Sequence, residues 1–481
     1  MLLYGKSEIS AICYDSRKAA PGAAFFCLVG VEADGHDYAY KAYEKGCRVF
    51  VAEKPLELPD DAEVYIVEDS RKALGDAAAE FYSHADKKLR LIGVTGTKGK
   101  TSVATFIAEA LNQSGQKCGF IGTTGTIIDG VVLQNANTTP ERAELHRIFA
   151  EMVSHGCVFC VMEVSSQAEK TGRVDGLNFE AAAFANLSPD HISPREHATF
   201  EDYRDCKAKL FSRCGVAVIN ADDENASFMA ENAGDVVLYG VENKNALSKE
   251  GSFIAENPKK ERADGHLGAE FDCFYPGGRF HIKTTVPGRF SVYNALCAAA
   301  VCRTVGVAEE HIVSALDGCQ VPGRFEEVKT PLKAKFIIDY AHNEVSLESA
   351  LRALKELRHE RLIVLFGCIG GRAQMRREPM GKIAAELADF LILTSDNPDR
   401  EPPMQIIAGI ERGIVKADRH PPYVRFADRA DAVRYAVRIS REGDIILFAG
   451  KGHENYQIID GKHVHFSERE IIEEEALELR G

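Results

Sequence analysis

Short apolar runs alternate with amphipathic stretches along most of this chain. Residues 91–94 form a run without polar interruption, the pattern of a strand buried on both faces, and 103–111 carry apolar side chains at helical spacing. Further strands are predicted at 117–121, 158–164, 181–186, 217–220 and 236–239, and a helix at 291–303 opened by Val286-Pro287-Gly288. The charged stretch 243–262 reads as a surface excursion. A second series of runs lies at 336–340, 362–366, 390–394 and 444–449, again with helical spacing between them. Before all of these, Pro21-Gly22 opens a strand, Asp34-Gly35-His36 leads into a helix ending near Gly46, and 47–52 is another strand. Strands that alternate with helices predict an α/β protein built on doubly wound parallel sheets. Three domains are expected: a small N-terminal α/β domain at 1–88, a central P-loop sheet at 89–322 and a C-terminal Rossmann-like domain at 323–481, with the active site between domains.

The most informative junction is 91–102, Leu-Ile-Gly-Val-Thr-Gly-Thr-Lys-Gly-Lys-Thr-Ser. Strand, glycine turn and helix aim backbone N–H groups and a helix N-terminus at a phosphate. Gly96 and Gly99 lack a Cβ, so backbone can approach the anion closely. Lys100 is placed to reach outer phosphates and the Thr101 hydroxyl to sit on Mg²⁺. The usual P-loop has a glycine five residues before its second one. Here that position is Val94, so the loop is a shortened variant, Gly-Thr-Lys-Gly-Lys-Thr. A nucleotide-phosphate site is expected.

Composition narrows the class without changing it. The chain has 481 residues, enough for two to four domain cores, with 45% hydrophobic and 27% charged residues. A net charge of −14 argues against a nucleic-acid or membrane-surface binder. The first eight residues lack the basic-then-apolar pattern of a signal peptide, and no apolar run approaches the ~18 residues of a membrane span. Thirteen scattered cysteines fit reduced thiols of the cytoplasm better than a disulfide framework. Cys157-Val158-Phe159-Cys160 spells C-x-x-C inside an apolar strand and has no second pair to complete a zinc site.

Several residues downstream of the loop bear on chemistry. Glu163 ends a predicted strand of the P-loop sheet, a position from which a carboxylate holds Mg²⁺ opposite the P-loop hydroxyl; a solvated strand-end acid is the alternative. His191, just past another strand, either ligates a second cation or caps the loop. Lys207 lies in a helical stretch and, by itself, reads as an exposed lysine.

Eight segments in order carry a resemblance: Thr95–Thr101, Asn137-Thr138-Thr139-Pro140, Met162–Ser166, Asn186–His191, Gly323-Arg324-Phe325, Asp339–Asn343, Asp396-Asn397-Pro398 and Gly450–Glu454. Together the chain resembles the Mur ligases, and among them the UDP-N-acetylmuramoyl-tripeptide synthetases. The resemblance implies an ATP-dependent ligase of peptidoglycan precursor synthesis. ATP would phosphorylate the terminal carboxylate of UDP-N-acetylmuramoyl-L-alanyl-D-glutamate, and an amino acid's amine would attack the acyl phosphate. It implies ATP and two Mg²⁺ as cofactors, with Gly96, Thr97, Lys98, Gly99, Lys100, Thr101, Ser102, Asn294, Arg324 and Asp339 at the nucleotide. Thr101, Glu163, His191 and Lys207 would hold metal, Lys207 as an N6-carboxylysine, and Lys100, Glu163, His191 and Lys207 would serve catalysis. Ser16, Thr138, Thr139, Ser165 and Arg173 would hold the UDP-muramoyl-dipeptide, making 1–88 its uridine-nucleotide domain. Small molecules are then the expected partners, with no nucleic acid, no membrane insertion and a monomer in the cytoplasm.

The incoming amino acid is assigned to Asp396, Asn397, Asp399, Arg400, Gly450 and Glu454. Relatives that add meso-diaminopimelate usually read Asp-Asn-Pro-Arg. This chain reads Asp396-Asn397-Pro398-Asp399-Arg400, with an acid in the arginine's place. Coulomb's law makes Asp399 a poor neighbour for a carboxylate and a better one for an ammonium, so L-lysine is the expected substrate. Gly450 and Glu454 match diaminopimelate contacts, and Arg400 is displaced by one residue, so meso-diaminopimelate is the alternative. A non-catalytic nucleotide-binding relative is a further alternative, and a folylpolyglutamate-type ligase or a GTPase is disfavoured by the first domain and by the lack of a guanine-reading Asn-Lys-x-Asp.

Overall fold

A computed structural model describes the whole chain except residues 5, 31–32, 191, 194–195, 243–250, 260–261, 265, 372–373 and 481. Two compact units emerge: Met1–Ile254 with Phe274–Gly278 and Leu296–Ala315, and Ala255–Cys273 with Arg279–Ala295 and Leu316–Gly481.

Among its described residues the first unit holds three sheets, the smallest pairing Leu2–Leu3 with Ser7–Glu8. Near its start, Ala11–Cys13, Ala23–Phe26, Val49–Ala52 and Glu63–Ile66 pair in that order, all parallel. Asp34 caps the turn that enters the helix Ala39–Glu44, its carboxylate accepting the His36 N–H at 3.0 Å. In the larger sheet Arg90–Thr95 lies between Phe159–Glu163 and Phe179–Phe184, parallel to both. Cys118–Gly122 flanks it on one side, and Cys214–Asn220, Asp235–Gly240 and Ser252–Ile254 on the other. Strands such as Cys118–Gly122 and Phe159–Glu163 are buried at every position, because helices cover both faces of such a sheet.

The winding of this sheet places a site. From Arg90–Thr95 the chain passes through the helix Lys100–Gln113 to Cys118–Gly122, two places away. It returns between them as Phe159–Glu163, then crosses to Phe179–Phe184 on the far side. That reversal leaves a crevice at the carboxyl ends of the strands, where open α/β sheets bind ligands.

The second unit has a sheet ordered Glu326–Val328, Lys335–Asp339, Ile445–Ala449, Leu362–Cys368, Phe390–Ser395, Tyr423–Arg425, parallel except for the first pair. Alternate residues of Leu362–Cys368 serve opposite cores: Val364 and Phe366 meet Leu347, Leu351 and Leu354, whereas Ile363 and Leu365 meet Val433, Val437 and Ile472. Here too the winding reverses, because Ile445–Ala449 comes back between the first two parallel strands. Asp339, Ser395 and Ala449 therefore end at one crevice.

Most predicted elements stand within a few residues of where the pattern put them. The surface excursion does not: Ser252–Lys259 is a strand, buried from Ser252 to Ala255 and exposed from Asn257 to Lys259. Its charged outer half conceals the buried inner half, while 243–250 and 260–261 lie outside the described residues. Glu63–Ile66, Tyr423–Arg425 and the hairpin Tyr456–Ile459/Lys462–His465 were not predicted, because they are edge or paired strands with half-exposed side chains and give no apolar run. No helix among the described residues is long and apolar enough to cross a membrane.

Candidate functional site

The glycine loop of the first unit closes on itself and on the neighbouring strand end. Gly99 takes φ +85° as the residue before the helix, a backbone that side chains other than glycine's rarely adopt. Gly96 is confined by close approach: a Cβ there would stand 3.0 Å from the Ala185 methyl and 3.2 Å from the Asn186 nitrogen. Asn186 clamps the loop, accepting the Lys98 N–H at 2.9 Å and donating to its carbonyl at 3.0 Å. The Thr97 hydroxyl bonds the Ser188 carbonyl at 3.2 Å and lies 3.1 Å from the Tyr203 hydroxyl. Lys98 pairs with Asp190 at 3.2 Å. Thr101 is buried in the first turn of the helix and Ser102 is half-buried beside it.

Two ammonium groups converge on one oxygen. Lys100 Nζ and Lys207 Nζ each donate to the Gly96 carbonyl at 2.9 Å, and Lys100 also reaches the Thr97 carbonyl at 3.2 Å. Lys207 is therefore not the exposed helix lysine that its local sequence suggests. It is fully buried, its ammonium 4.7 Å from the centre of the Tyr203 ring. Burial, reinforced by the charge of Lys100, holds its pKa well below the usual lysine range. A concave patch of positive charge and backbone N–H groups at a helix N-terminus is an anion cradle.

Glu163 is fully buried, in register with Val94 on the strand that leads into the loop. Its carboxylate accepts from the Thr123 backbone at 2.8 Å and hydroxyl at 3.1 Å, so it is held but retains acceptor capacity. Hydroxyl and carboxylate oxygens at a phosphate cradle suit Mg²⁺, so Thr101 and Glu163 fit such an ion by donor type. His191 lies outside the described residues, and nothing here bears on it.

Thr138, Thr139, Ser165 and Arg173 form one polar cluster around Glu163. The Thr139 hydroxyl donates to the Glu163 carbonyl at 2.9 Å, Ser165 N–H donates back to that hydroxyl at 3.1 Å, and the Thr138 and Thr123 hydroxyls are 3.1 Å apart. The Arg173 guanidinium donates to the Thr139 carbonyl at 3.1 Å and lies 4.0 Å from Glu141, which also pairs with Arg71. Ser16, in a short 3₁₀ turn capped by Asp15, is buried and shares no hydrogen bond with this cluster. Thr123, Tyr203 and Arg71 were missed in the sequence, and Asn186 stood in a motif without a role, because each meets the site only through tertiary contact. A trio of His197, Asp202 and Cys206 also comes together near Lys207. The Asp202 carboxylate is already taken by Lys170 at 2.7 Å and by the Ala198 N–H at 3.1 Å.

In the second unit, the Asp339 carboxylate accepts the Phe325 N–H at 3.0 Å and its carbonyl accepts the Gly450 N–H at 3.0 Å. Burial raises its pKa, with Arg324 pulling the other way. The Arg324 guanidinium stands 4.9 Å over the Tyr340 ring, and Asn294 is buried on the helix Arg289–Thr304. The same unit holds a cavity of about 360 Å³ lined by Ile369, Gly370, Gly371, Asn397, Asp399 and Ile458. Lys451, fully buried, donates to Asn397 Oδ1 at 3.0 Å and to Glu454 Oε2 at 2.6 Å, and sits 3.5 Å from Asp396 Oδ1. Burial raises the pKa of Asp396, opposed chiefly by Lys451. Gly450 takes φ +115°, and a Cβ on it would crowd Asp396 Oδ2 at 3.2 Å.

Asp399 does not behave as the Coulomb argument supposed. It sits at φ +50°, its N–H on the Ile458 carbonyl at 2.9 Å and its Oδ1 accepting the Gly461 N–H at 2.7 Å. One of its carboxylate oxygens thus closes the hairpin Tyr456–Ile459/Lys462–His465, while the residue also lines the cavity. Arg400 is exposed and makes no hydrogen bond or ion pair among the described residues.

Comparison with known proteins gives three family matches: the Mur ligase family catalytic domain over residues 8–82, the Mur ligase middle domain over 94–302 and the Mur ligase glutamate ligase domain over 323–452. A protein of Clostridium acetobutylicum named UDP-N-acetylmuramoyl-L-alanyl-D-glutamate–2,6-diaminopimelate ligase 1 is 41% identical over 98% of this chain and 95% of its own. A Caldanaerobacter subterraneus protein named as the same kind of ligase is 40% identical over 97% and 94%. A solved structure of a ligase of that name superposes with a TM-score of 0.69 at 29% identity, over 98% of this chain and 96% of its own. These relatives are named for 2,6-diaminopimelate, and none of the three supports the expected preference for L-lysine.

Proposed function

Because the chain belongs to the Mur ligase family, as an ATP-dependent amide-forming ligase, we propose that it joins meso-2,6-diaminopimelate to UDP-N-acetylmuramoyl-L-alanyl-D-glutamate. The observation that carries this reading is a pairing. Full-length similarity to ligases named for that reaction accompanies an anion cradle in which two buried or half-buried lysines meet the glycine-loop carbonyl. The γ-phosphoryl group of ATP passes to the D-glutamyl carboxylate and ADP leaves. The amine then attacks the acyl carbon, and phosphate departs as the amide forms. Little covalent work falls to the protein, whose part is positioning and charge neutralisation.

In this reading Gly96–Ser102 cradle the phosphates and Lys100 offsets the charge that develops on the transferred group. Thr101, Glu163 and His191 would hold two Mg²⁺, and the ions would supply charge neutralisation at the phosphate oxygens. Lys207 enters as a carbamate. Its amine, whose pKa burial lowers, would bond through nitrogen to carbon dioxide and give up a proton, leaving an anionic ligand. Thr138, Thr139, Ser165 and Arg173 hold the muramoyl-dipeptide, and Ser16 its uridine end. Asn294, Arg324 and Asp339 contact the nucleotide, and Asn397, Arg400, Gly450 and Glu454 the amino acid. The working domain boundaries are 1–88, 89–322 and 323–481, and the enzyme acts as a cytoplasmic monomer.

The test is phosphate release with mass spectrometry of the product, using ATP, Mg²⁺, the UDP-muramoyl-dipeptide and one amine at a time. Turnover selective for meso-diaminopimelate over L-lysine and L-ornithine is the expected result. Binding of the nucleotide substrate without turnover of any amine would instead describe a non-catalytic relative.

A further inference from the structure

Resting on the ligase reading above, we propose that Lys451 is a positioning residue that fixes the hydrogen-bonding polarity of Asn397, which lines the cavity, and of Glu454 bonded to it, so that the pair reads the ammonium and carboxylate of one zwitterionic amino-acid end. An ammonium has three N–H donors, and those of Lys451 face three acceptors: Asn397 Oδ1 at 3.0 Å, Glu454 Oε2 at 2.6 Å and Asp396 Oδ1 at 3.5 Å. Two of these are hydrogen bonds and the third is a charge contact, and at 0% exposure the ammonium itself is closed to a substrate. Lys451 therefore acts through its neighbours.

Its effect on Asn397 is directional. An amide can turn end for end unless its partners forbid it. Oδ1 here receives two groups that only donate, the Lys451 ammonium and the Ile458 N–H, each at 3.0 Å. Turning the amide would set N–H against both, so Nδ2 must lie on the other side. There it donates one hydrogen to Glu454 Oε2 at 3.3 Å, and its second has no acceptor among the described residues. Asn397 lines the cavity, so that spare donor suits a carboxylate.

Glu454 is fixed from the same point. Oε2 takes Lys451 and Asn397, while Oε1 accepts only the Tyr340 hydroxyl, at 3.3 Å, among the described residues. The partly exposed carboxylate keeps acceptor capacity for an ammonium. Donor and acceptor thus stand side by side. The amine that attacks an acyl phosphate must be free, so the ammonium held at Glu454 belongs to the other end of the amino acid. L-Lysine brings no carboxylate there and leaves the Asn397 donor unpaired, which a polar site penalises strongly.

Steady-state kinetics of the whole enzyme test this, with meso-diaminopimelate and L-lysine as competing amines. The variants are Lys451→Met, Glu454→Gln, the double variant and Asn397→Asp. Lys451→Met should raise KM for diaminopimelate roughly 10- to 100-fold and lower its preference over L-lysine, with KM for ATP unchanged. The double variant should lose less than the sum of the two single losses, because the residues act together. Should Lys451→Met not fold, Asn397→Asp replaces the spare donor with an acceptor and must lower the same preference. A folded Lys451→Met with unchanged KM for diaminopimelate, or an Asn397→Asp with unchanged preference, overturns the inference. A wild-type enzyme that prefers L-lysine overturns it together with the substrate reading, and one that turns over no amine overturns the ligase reading beneath both.

Discussion

Lys207 and Lys451 are buried to the same depth, at 1% and 0% exposure, and keep opposite company. Lys207 faces a backbone carbonyl and a second ammonium, that of Lys100, on the same oxygen. Lys451 faces two carboxylates and an amide oxygen. The first is a cation the fold makes uncomfortable, suited to being neutralised or converted. The second is a cation the fold needs, because it is the ammonium on Glu454 and the leading opposite charge on Asp396, ahead of Arg429. Burial alone does not say what a charged side chain is for; its neighbours do.

Substituting each lysine by methionine sharpens that contrast most. Lys451→Met leaves carboxylates buried without their cation and should cost about 3–5 kcal/mol in denaturant unfolding. Lys207→Met removes a crowded cation and should leave stability equal or higher. Equal losses at both positions would erase the distinction.

Activity should rank the two the other way. Lys207→Ala is expected to lower phosphate release roughly 100- to 1,000-fold, the scale of removing one preorganised charge from a transition state. Added short-chain carboxylic acids should restore part of it and excess bicarbonate none, since alanine offers no amine to carbamylate. Full activity in Lys207→Ala would end the carbamate assignment.

The pH dependence of stability gives a finer reading. The Lys207 pKa lies well below its ordinary 10.5, so between its folded pKa and 10.5 the unfolded chain binds the extra proton. Stability in that window rises with pH and is lost as pH falls through the folded pKa. Wild type should therefore gain on Lys207→Met as pH rises towards 10.5, in urea titrations at constant ionic strength. A constant gap across that window would place the ammonium of Lys207 in a comfortable site.

The smallest expected effect is at Asp399. Asparagine tolerates its positive φ and still accepts the Gly461 N–H. Although Asp399 lines the cavity, its Oδ1 stays on the Gly461 N–H in either form, so Asp399→Asn should leave the preference between diaminopimelate and L-lysine unchanged within about twofold. A swing towards diaminopimelate would restore the Coulomb argument first made from the sequence.

The sequence by itself determined the parallel α/β architecture and the phosphate cradle. Buried parallel strands need unbroken apolar runs, and a strand–glycine–helix turn is local, so both leave their mark within a dozen residues. It also supplied, through eight ordered motifs, the family and the residues proposed for the site. Tertiary structure decided the rest. Lys207 looked exposed until its helix was laid against Gly96, 111 residues away. Asp399 looked like a specificity charge until the hairpin took its carboxylate. Lys451 joins Asn397 from 54 residues away. Edge strands such as Glu63–Ile66 were hidden because half-exposure demands no apolar run. In each case the deciding quantity is which charges and hydrogen-bond donors share a low-dielectric space, and that is set by distances between segments that no local pattern encodes.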